Sequence, residues 1–246
     1  MKPSTCSVVV SAALLFAVTF TPSSISAALV IDDFTTPQVA SVSGRRSHAF
    51  SSAAAPEALG GNREVHVART SHNRGAAQLD VGSSLSPGAA FSLGFGTAGL
   101  ASIVWDGLDQ NRRLNPRGLC GLDLTEGGIN DRFSLLAMAD LGMEVTVRIY
   151  SNRRDWSEAT LHIPAGLRAF QAFELPFDEF MARCGSNGAD FTRIGAVSLT
   201  LAGGESLDVG IRYFAVVPEP GTWLAGVGLL GAVSLAAFRR HHSAQR

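Results

Sequence analysis

The sequence predicts an all-β fold, an antiparallel β-sandwich of the jelly-roll type. Apolar and polar residues alternate with a period of two in many short segments, and glycine-rich turns separate these segments. Such alternation places successive side chains on opposite faces of a strand, with one face buried and the other solvated. Ten or so short strands with few helices are typical of a sandwich, in which two packed sheets bury one face of each strand.

Four segments alternate most regularly, and each predicts a half-buried strand. They cover residues 144–149, 160–163, 197–201 and 207–213. The side chains predicted to point inward are Val145, Val147, Ile149, Leu161, Ile163, Val197, Leu199, Leu201, Leu207, Val209, Ile211 and Tyr213. The glycine-bearing segment 202–206 between the last two strands predicts a short hairpin loop.

The remaining segments of the body are less regular. Weaker strand patterns occur at residues 28–34, 64–69, 76–81, 89–95, 101–105, 133–138 and 169–175. Residues 177–183 predict one or two helical turns. Residues 41–61 are rich in glycine, serine and alanine, and they predict a long exposed loop.

The N-terminus has the pattern of a secretory signal peptide, which we place at residues 1–28. Lys2 supplies positive charge, residues 8–20 are mostly apolar, and small residues at 24–28 permit cleavage after Ala27 or Ala28. An uncleaved membrane anchor is the alternative. A signal peptide predicts that the body of the chain, residues 29–217, is exported.

The C-terminal residues 218–246 combine three elements in order. Pro218, Glu219 and Pro220 come first, an apolar segment at 222–238 follows, and Arg239 and Arg240 begin a basic tail. As a helix, residues 223–238 would span roughly 24 Å, a little less than a hydrocarbon core of about 30 Å. We predict one transmembrane helix with its C-terminus in the cytoplasm, because arginines follow its last residue. A buried core helix is the alternative.

This tail resembles the PEP-CTERM sorting signal of Gram-negative bacteria, in which the Pro-Glu-Pro triplet corresponds to Pro218, Glu219 and Pro220. The resemblance implies recognition by a membrane-embedded processing enzyme of the exosortase type. It also implies export across the inner membrane, with a transient single-pass state before the protein reaches the cell surface.

The body carries a second resemblance, at residues 29–34, 173–177 and 208–214. These segments are similar to galactose-binding-like jelly rolls. The similarity implies a fold and transfers no binding residues, because one fold carries many functions.

Charge and cysteine content narrow the function classes. Between residues 29 and 217, sixteen arginines oppose twenty acidic residues, so the composition offers no basic surface for nucleic acid. Cys6 leaves with the signal peptide. The exported part keeps Cys120 and Cys184, which predict one disulfide in an oxidising compartment. Two free buried thiols are the alternative.

The sequence offers no catalytic motif. It lacks a Gly-x-Ser-x-Gly elbow, a His-Glu-x-x-His pair, a phosphate-binding glycine loop and Cys/His metal spacing. Asp106 and Asp109 flank a turn and are the one acidic pair to name as catalytic, but ordinary turn chemistry is the favoured explanation for them. We therefore expect no enzyme activity.

Two kinds of binding site remain as candidates. Trp105 and Trp156 adjoin polar segments and could stack a sugar ring, with a buried core tryptophan as the alternative. Asp32 and Asp33 together with Asp208 could hold a structural Ca²⁺ through oxygen ligands, with a solvated acidic edge as the alternative.

These observations predict an exported, exosortase-processed protein of the cell surface or extracellular matrix, non-catalytic and associated with exopolysaccharide. A secreted polysaccharide-active hydrolase, sorted by the same C-terminal signal, is the alternative.

Overall fold

The computed structural model describes residues 28–83, 86–183 and 185–219, which form two antiparallel sheets of seven strands each. Sheet 1 contains β1 (Leu29–Asp32), β2 (Gln38–Val42), β5 (Ala77–Ser83), β6 (Ser86–Leu93), β8 (Asn130–Ala139), β11 (Gln171–Pro176) and β14 (Asp208–Pro218). Sheet 2 contains β3 (His48–Ala54), β4 (Asn62–Arg69), β7 (Gly99–Trp105), β9 (Met143–Tyr150), β10 (Trp156–Ile163), β12 (Met181–Ala182) and β13 (Ala196–Gly203). The predicted all-β sandwich is confirmed.

The two sheets differ in how their strands are ordered. Sheet 1 runs β2-β5-β6-β14-β8-β11, and sheet 2 runs β3-β4-β7-β13-β9-β10-β12. In sheet 1 the long strand β14 pairs with β8 on one side, and on the other side with β6 along its first half and β1 along its second. The first and last described strands therefore lie side by side.

One apolar core lies between the sheets. Leu79 and Phe91 enter it from sheet 1, and Ile103, Val147 and Leu199 enter it from sheet 2. At one end of the sandwich the core becomes aromatic: the ring of Phe214 lies 5.6 Å from that of Trp105 and 5.4 Å from that of Phe133. These three residues come from β7, β14 and β8, so this aromatic group joins the two sheets.

The regular strands largely follow the predicted alternation, but β14 changes phase partway along. Leu207, Val209 and Ile211 are buried as predicted. The pairing with β8 shifts between Ile211 and Tyr213, which marks a β-bulge. The extra residue turns Tyr213 out of the core and leaves Phe214 fully buried instead. The prediction that Tyr213 points inward was therefore wrong.

The predicted exposed loop at residues 41–61 was also wrong. The segment contains the end of β2, all of β3 and a short 3-10 helix at Leu59–Gly61. Sequence alternation missed β3 because serine and alanine occupy both of its faces; it is an edge strand paired with β4. The helical turns predicted at 177–183 are one 3-10 helix, Phe177–Glu179, followed by the two-residue strand β12.

The predictions about the chain ends fall mostly outside the described residues. The signal peptide up to residue 27, Pro220, the apolar segment 222–238, Arg239 and Arg240 all lie there. Within the described part of the chain, no helix is long and apolar enough to cross a membrane. Pro218 is the last residue of β14, and the exposed Glu219 follows it directly.

Candidate functional site

The outer surface of sheet 2 carries an aromatic pair, Tyr150 and Trp156, which we call the aromatic platform. Because Val147 and Ile149 point into the core, the alternating residues Arg148 and Tyr150 point outward. Tyr150 pairs directly with Trp156 across β9 and β10, and their rings stack with centroids 5.9 Å apart and planes 25° apart. Both residues are half-buried, so part of their ring surface faces solvent.

Charged side chains border the platform. The guanidinium of Arg148 lies 5.7 Å from the Trp156 ring, and its Nε donates a hydrogen bond of 2.7 Å to Glu158. Arg183 donates to the other oxygen of Glu158. Burial opposes ionisation of Glu158, but the hydrogen bonds and charges of the two arginines outweigh it and hold the pKa of Glu158 below its usual value. Glu158 therefore stays ionised and fixes the arginine beside Trp156.

Hydrogen bonds also fix the loop 151–155, which connects the two platform residues. The side-chain oxygen of Asn152 accepts hydrogen bonds from the backbone N–H groups of Arg154 and Asp155. The Ser186 hydroxyl accepts from the Trp156 N–H at 2.8 Å and donates to the Trp156 carbonyl at 2.6 Å. Trp156 is thus held in place on its backbone side, which lowers the entropy cost of binding a ligand.

A groove of about 740 Å³ lies beside this loop. Its walls are Asp109, Asn111, Arg113, Leu114, Asn115, Pro116 and Arg117 on one side and Asn152, Arg153 and Arg154 on the other. Four arginines oppose a single acidic residue among these walls, so the groove is strongly cationic although the chain as a whole is nearly neutral. This size is typical of a ligand-binding cleft.

Three carboxylates, Glu64, Asp106 and Asp109, form a group that we call the acidic cluster. One oxygen from each lies within 4.8 Å of the others. Glu64 and Asp106 are each 1% exposed, whereas Asp109 is exposed and lines the groove. Asp106 Oδ2 accepts a hydrogen bond of 2.6 Å from the Asn115 N–H. Asp106 Oδ1 and both oxygens of Glu64 accept no hydrogen bond of good geometry from the described residues.

Burial without a positively charged partner makes Glu64 and Asp106 hard to ionise. Burial, followed by the charges of Asp106 and Asp109, raises the pKa of Glu64 to about 7, and the Asn111 N–H only partly offsets this. Burial raises the pKa of Asp106 to about 6, with the Asn115 N–H opposing and Asp109 reinforcing the shift. These shifts reflect three acidic groups without a compensating positive charge.

A histidine lies close to the cluster. His66 Nε2 lies 3.9 Å from Glu64, while burial and then the charge of Arg112 lower the pKa of His66, which favours the neutral imidazole. Across the described ranges, no arginine comes within ion-pairing distance of Glu64 or Asp106.

Two glycines permit the loop after β7 to fold back over the cluster. Gly107 has φ +92°, a conformation that residues with a side chain rarely adopt. Gly118 packs so closely that a Cβ there would lie 1.6 Å from the Asp106 carbonyl oxygen. This close approach buries Asp106 and Glu64 beneath residues 107–118, although Glu64 stands on the outer side of its sheet.

Trp105 is not a ligand platform, and that prediction was wrong. The side chain is fully buried, and its Nε1 donates a hydrogen bond of 2.8 Å to Asp32. Asp32 is itself fully buried and receives two hydrogen bonds from Arg63, at 3.0 and 3.2 Å. Arg63 also bonds to Gln38 and to the Thr36 carbonyl. This inner ion pair could not be predicted from the sequence, because the alternation contains no sign that an arginine points into the core.

The predicted Ca²⁺ site at Asp32, Asp33 and Asp208 does not assemble. Asp32 pairs with Phe214, near the end of β14, whereas Asp208 begins that strand. Six residues of extended chain span about 20 Å. Glu57 replaces Asp208 beside Asp32 and Asp33, but Arg63 lies 3.7 Å from Glu57 and already supplies the positive charge there.

The predicted disulfide remains a prediction. Cys120 is exposed and bonded to no described cysteine, and Cys184 lies outside the described residues.

No known family model matches the chain, and no curated protein matches it. Among solved structures, a family 11 carbohydrate-binding module from Clostridium thermocellum, in complex with a β-1,3-1,4-mixed-linked tetrasaccharide, is similar at 12% identity and TM-score 0.38, covering 78% of this chain and 95% of that one. TmCBM61 in complex with β-1,4-galactotriose is similar at 10% identity and TM-score 0.34, covering 76% and 91%. The agarase AgWH50C is similar at 13% identity and TM-score 0.40, with 79% of this chain and 25% of that chain covered. At such low identities and scores, these similarities assign neither a family nor a ligand.

Proposed function

We propose that this chain is an exported, non-catalytic protein of the cell surface or extracellular matrix that binds polysaccharide on the outer side of sheet 2. The observation that carries this proposal is the aromatic platform, held rigidly beside an open groove lined by arginine and asparagine. Apolar faces of sugar rings stack on aromatic rings, and their hydroxyl groups bond to amides and guanidinium groups.

The positive charge of the groove favours acidic polysaccharides over neutral ones as the ligand. Arg113, Arg117, Arg153 and Arg154 face a single carboxylate, Asp109. Guanidinium groups bind carboxylate and sulfate groups through paired hydrogen bonds, which are stronger than neutral ones. A chain of uronic or sulfated sugars therefore suits this groove better than a neutral glucan.

Binding to immobilised polysaccharides tests this function directly. We expect retention on an acidic polysaccharide such as alginate, and at least about tenfold weaker binding for Trp156→Ala, because one stacked ring contributes a few kcal/mol. Replacing Arg153 and Arg154 with alanine should weaken binding to acidic polysaccharide and reduce its salt dependence. Phe95→Ala is the matched control, because Phe95 is 93% exposed and is not among the groove residues. Equal binding by the Trp156 and Phe95 variants would contradict the proposal.

The sorting part of the proposal rests on the chain ends. Glu219 follows the last strand and is exposed, so a processing enzyme can reach it. A proline disfavours helical backbone at the residue before it, so the prolines at 218 and 220 favour extended backbone at Val217 and Glu219. We expect Glu219→Ala to block tail removal by an exosortase-type enzyme and to leave full-length protein in the membrane fraction. If this variant were processed as efficiently as the parent, the triplet would be only a linker and not a recognition motif.

The hydrolase alternative has no specific observation in its favour. A retaining glycosidase needs two carboxyl groups about 5 Å apart that both reach the scissile bond. Glu64 and Asp106 are close enough, but at 1% exposure neither can touch a substrate in this conformation. An assay for release of reducing ends from bound polysaccharide separates the two functions, and we expect none.

A further inference from the structure

We propose that the acidic cluster, Glu64, Asp106 and Asp109, binds a divalent cation of the Ca²⁺ type. The proposal starts from three buried carboxylate oxygens, two on Glu64 and one on Asp106, which accept no hydrogen bond of good geometry from the described residues. Buried polar atoms without a partner are rare, because each one loses its water without replacement. Here all three orphaned oxygens belong to one group with a shared centre.

The surroundings of Glu64 leave its charge uncompensated. Facing positions on the neighbouring strands are Ser52 on β3, Val104 on β7 and, beyond it, Ser198 on β13. His66 lies on the same strand, with its pKa lowered by burial and by Arg112. None of these supplies a positive charge within the cluster. Either protons or a metal ion must neutralise it, and an ion would satisfy all three orphaned oxygens together.

The donor set selects the kind of ion. The cluster offers carboxylate oxygens without sulfur, and Ca²⁺ takes six to eight oxygen ligands in a flexible arrangement. Three carboxylates provide up to six oxygens, five once Asp106 Oδ2 is assigned to the Asn115 N–H. Water fills the remaining positions. An ion can enter through Asp109, which is exposed and belongs to the groove wall.

The second acidic group of the chain is an internal control. Asp32, Asp33 and Glu57 also bring three carboxylates within 4.8 Å of one another. There Arg63 bonds to Asp32 and lies 3.7 Å from Glu57, and Thr36 bonds to both Glu57 oxygens. In this group the buried carboxylate, Asp32, already has a guanidinium partner, and both oxygens of Glu57 accept hydrogen bonds, so the buried oxygens need no metal ion. We therefore expect one high-affinity ion per chain, bound at the acidic cluster.

Calorimetric titration of CaCl₂ into the chelator-treated protein tests the proposal at pH 7.5. We expect one bound ion and a rise in melting temperature. Glu64→Gln and Asp106→Asn preserve side-chain shape, and each should weaken binding at least about tenfold. Asp33→Asn, in the control group, should bind Ca²⁺ as the parent does.

Thermal unfolding measured in chelator and in saturating Ca²⁺ separates a loss of ion binding from a simple loss of stability in a variant. Glu64→Gln should melt at or above the parent without Ca²⁺, because it removes like-charge repulsion, and it should melt below the parent with saturating Ca²⁺. This reversal of order is specific to an ion site. Absence of a Ca²⁺-dependent shift in the parent, or a Glu64→Gln variant that melts lower by the same amount in both conditions, overturns the proposal.

Discussion

Arg63 and Glu64 are neighbours on β4, and their side chains leave opposite faces of the same sheet. Inside, Arg63 meets the buried Asp32, and Gln38, Thr36 and Trp105 satisfy the remaining donors and acceptors. Outside, Glu64 meets two further acids and no donor of good geometry. Both carboxylates are fully buried, so burial alone does not distinguish structure from function. The inner pair has all its hydrogen-bond partners without a ligand, whereas the carboxylates of the outer group lack such partners.

The largest expected effect comes from breaking the inner pair. Arg63→Leu leaves Asp32 charged and buried without its partner, and such losses typically destabilise a protein by about 3–5 kcal/mol. Urea unfolding followed by tryptophan fluorescence measures the change. Arg148→Leu is the control, because its side chain is 45% exposed and Arg183 still pairs with Glu158 after the change, so we expect a loss of only about 1 kcal/mol. Similar losses in the two variants would show that the inner pair has no special role.

Removing one donor from the inner pair should have a smaller effect. Trp105→Phe keeps an aromatic ring in the core but deletes the N–H that bonds to Asp32. A hydrogen bond to a charged group contributes about 1.5–3 kcal/mol, so we expect a loss of that size in the free energy of unfolding. A loss under about 0.5 kcal/mol would mean that water or Arg63 takes over the bond.

The outer group predicts a pH dependence in chelator-treated protein. The folded pKa values of Glu64 and Asp106, about 7 and about 6, lie above their usual values of 4.5 and 3.8. The folded state therefore binds these protons more tightly than the unfolded state. Their contribution is complete below about pH 4 and is lost as the pH rises through 6 and 7.

We expect the free energy of unfolding to fall by roughly 2–4 kcal/mol between pH 5 and pH 8. Glu64 loses its proton about two units above pH 5 and Asp106 about one unit above it, and each unit corresponds to about 1.4 kcal/mol, less the repulsion that the two groups share. Urea unfolding at several pH values measures it. Glu64→Gln should flatten the curve, and a parent curve that rises over this range would contradict the uncompensated state of the cluster.

The smallest effect should come from giving the outer group its own arginine. Asp109→Arg places a cation on the exposed side of Glu64 and Asp106, as Arg63 does for Asp32. Because the new residue is exposed, we expect a gain of only about 0.5–1 kcal/mol in chelator, together with loss of Ca²⁺ binding. If the variant still binds Ca²⁺ as the parent does, Asp109 is not a ligand.

The two tryptophans show how much of the site the sequence could predict. Trp105 shares its phase with Ala101 and Ile103, so the alternation of β7 already indicated that it points inward. Trp156 pairs with Tyr150 on the neighbouring strand. Because Val147 and Ile149 point inward, Tyr150 points outward, and the same rule predicts that Trp156 does so too.

Of the acidic cluster, the sequence indicated the pair Asp106 and Asp109, but it could not indicate that Glu64 joins them. Glu64 lies on the polar phase of β4, and a local pattern predicts that it is solvated. Its burial depends on the loop that returns over it from Asp106, which involves residues some forty positions away. The partner of Asp32 was missed for a similar reason, since Arg63 is thirty-one residues distant.

The end of β14 lies at the same end of the sandwich as the groove. Pro218 pairs with Asn130, and the rings of Phe214, Phe133 and Trp105 stack at the same end of the sandwich, where the loop 106–129 begins and finishes. One wall of the groove belongs to that loop, so β14 ends at the end of the domain that carries the groove. A tether attached to the tail would point this end toward the surface that holds it, shielding the groove from long polymers. Cleavage of the tether would then change both how far the domain extends from that surface and which way the groove faces, and the structure of the domain itself would stay the same.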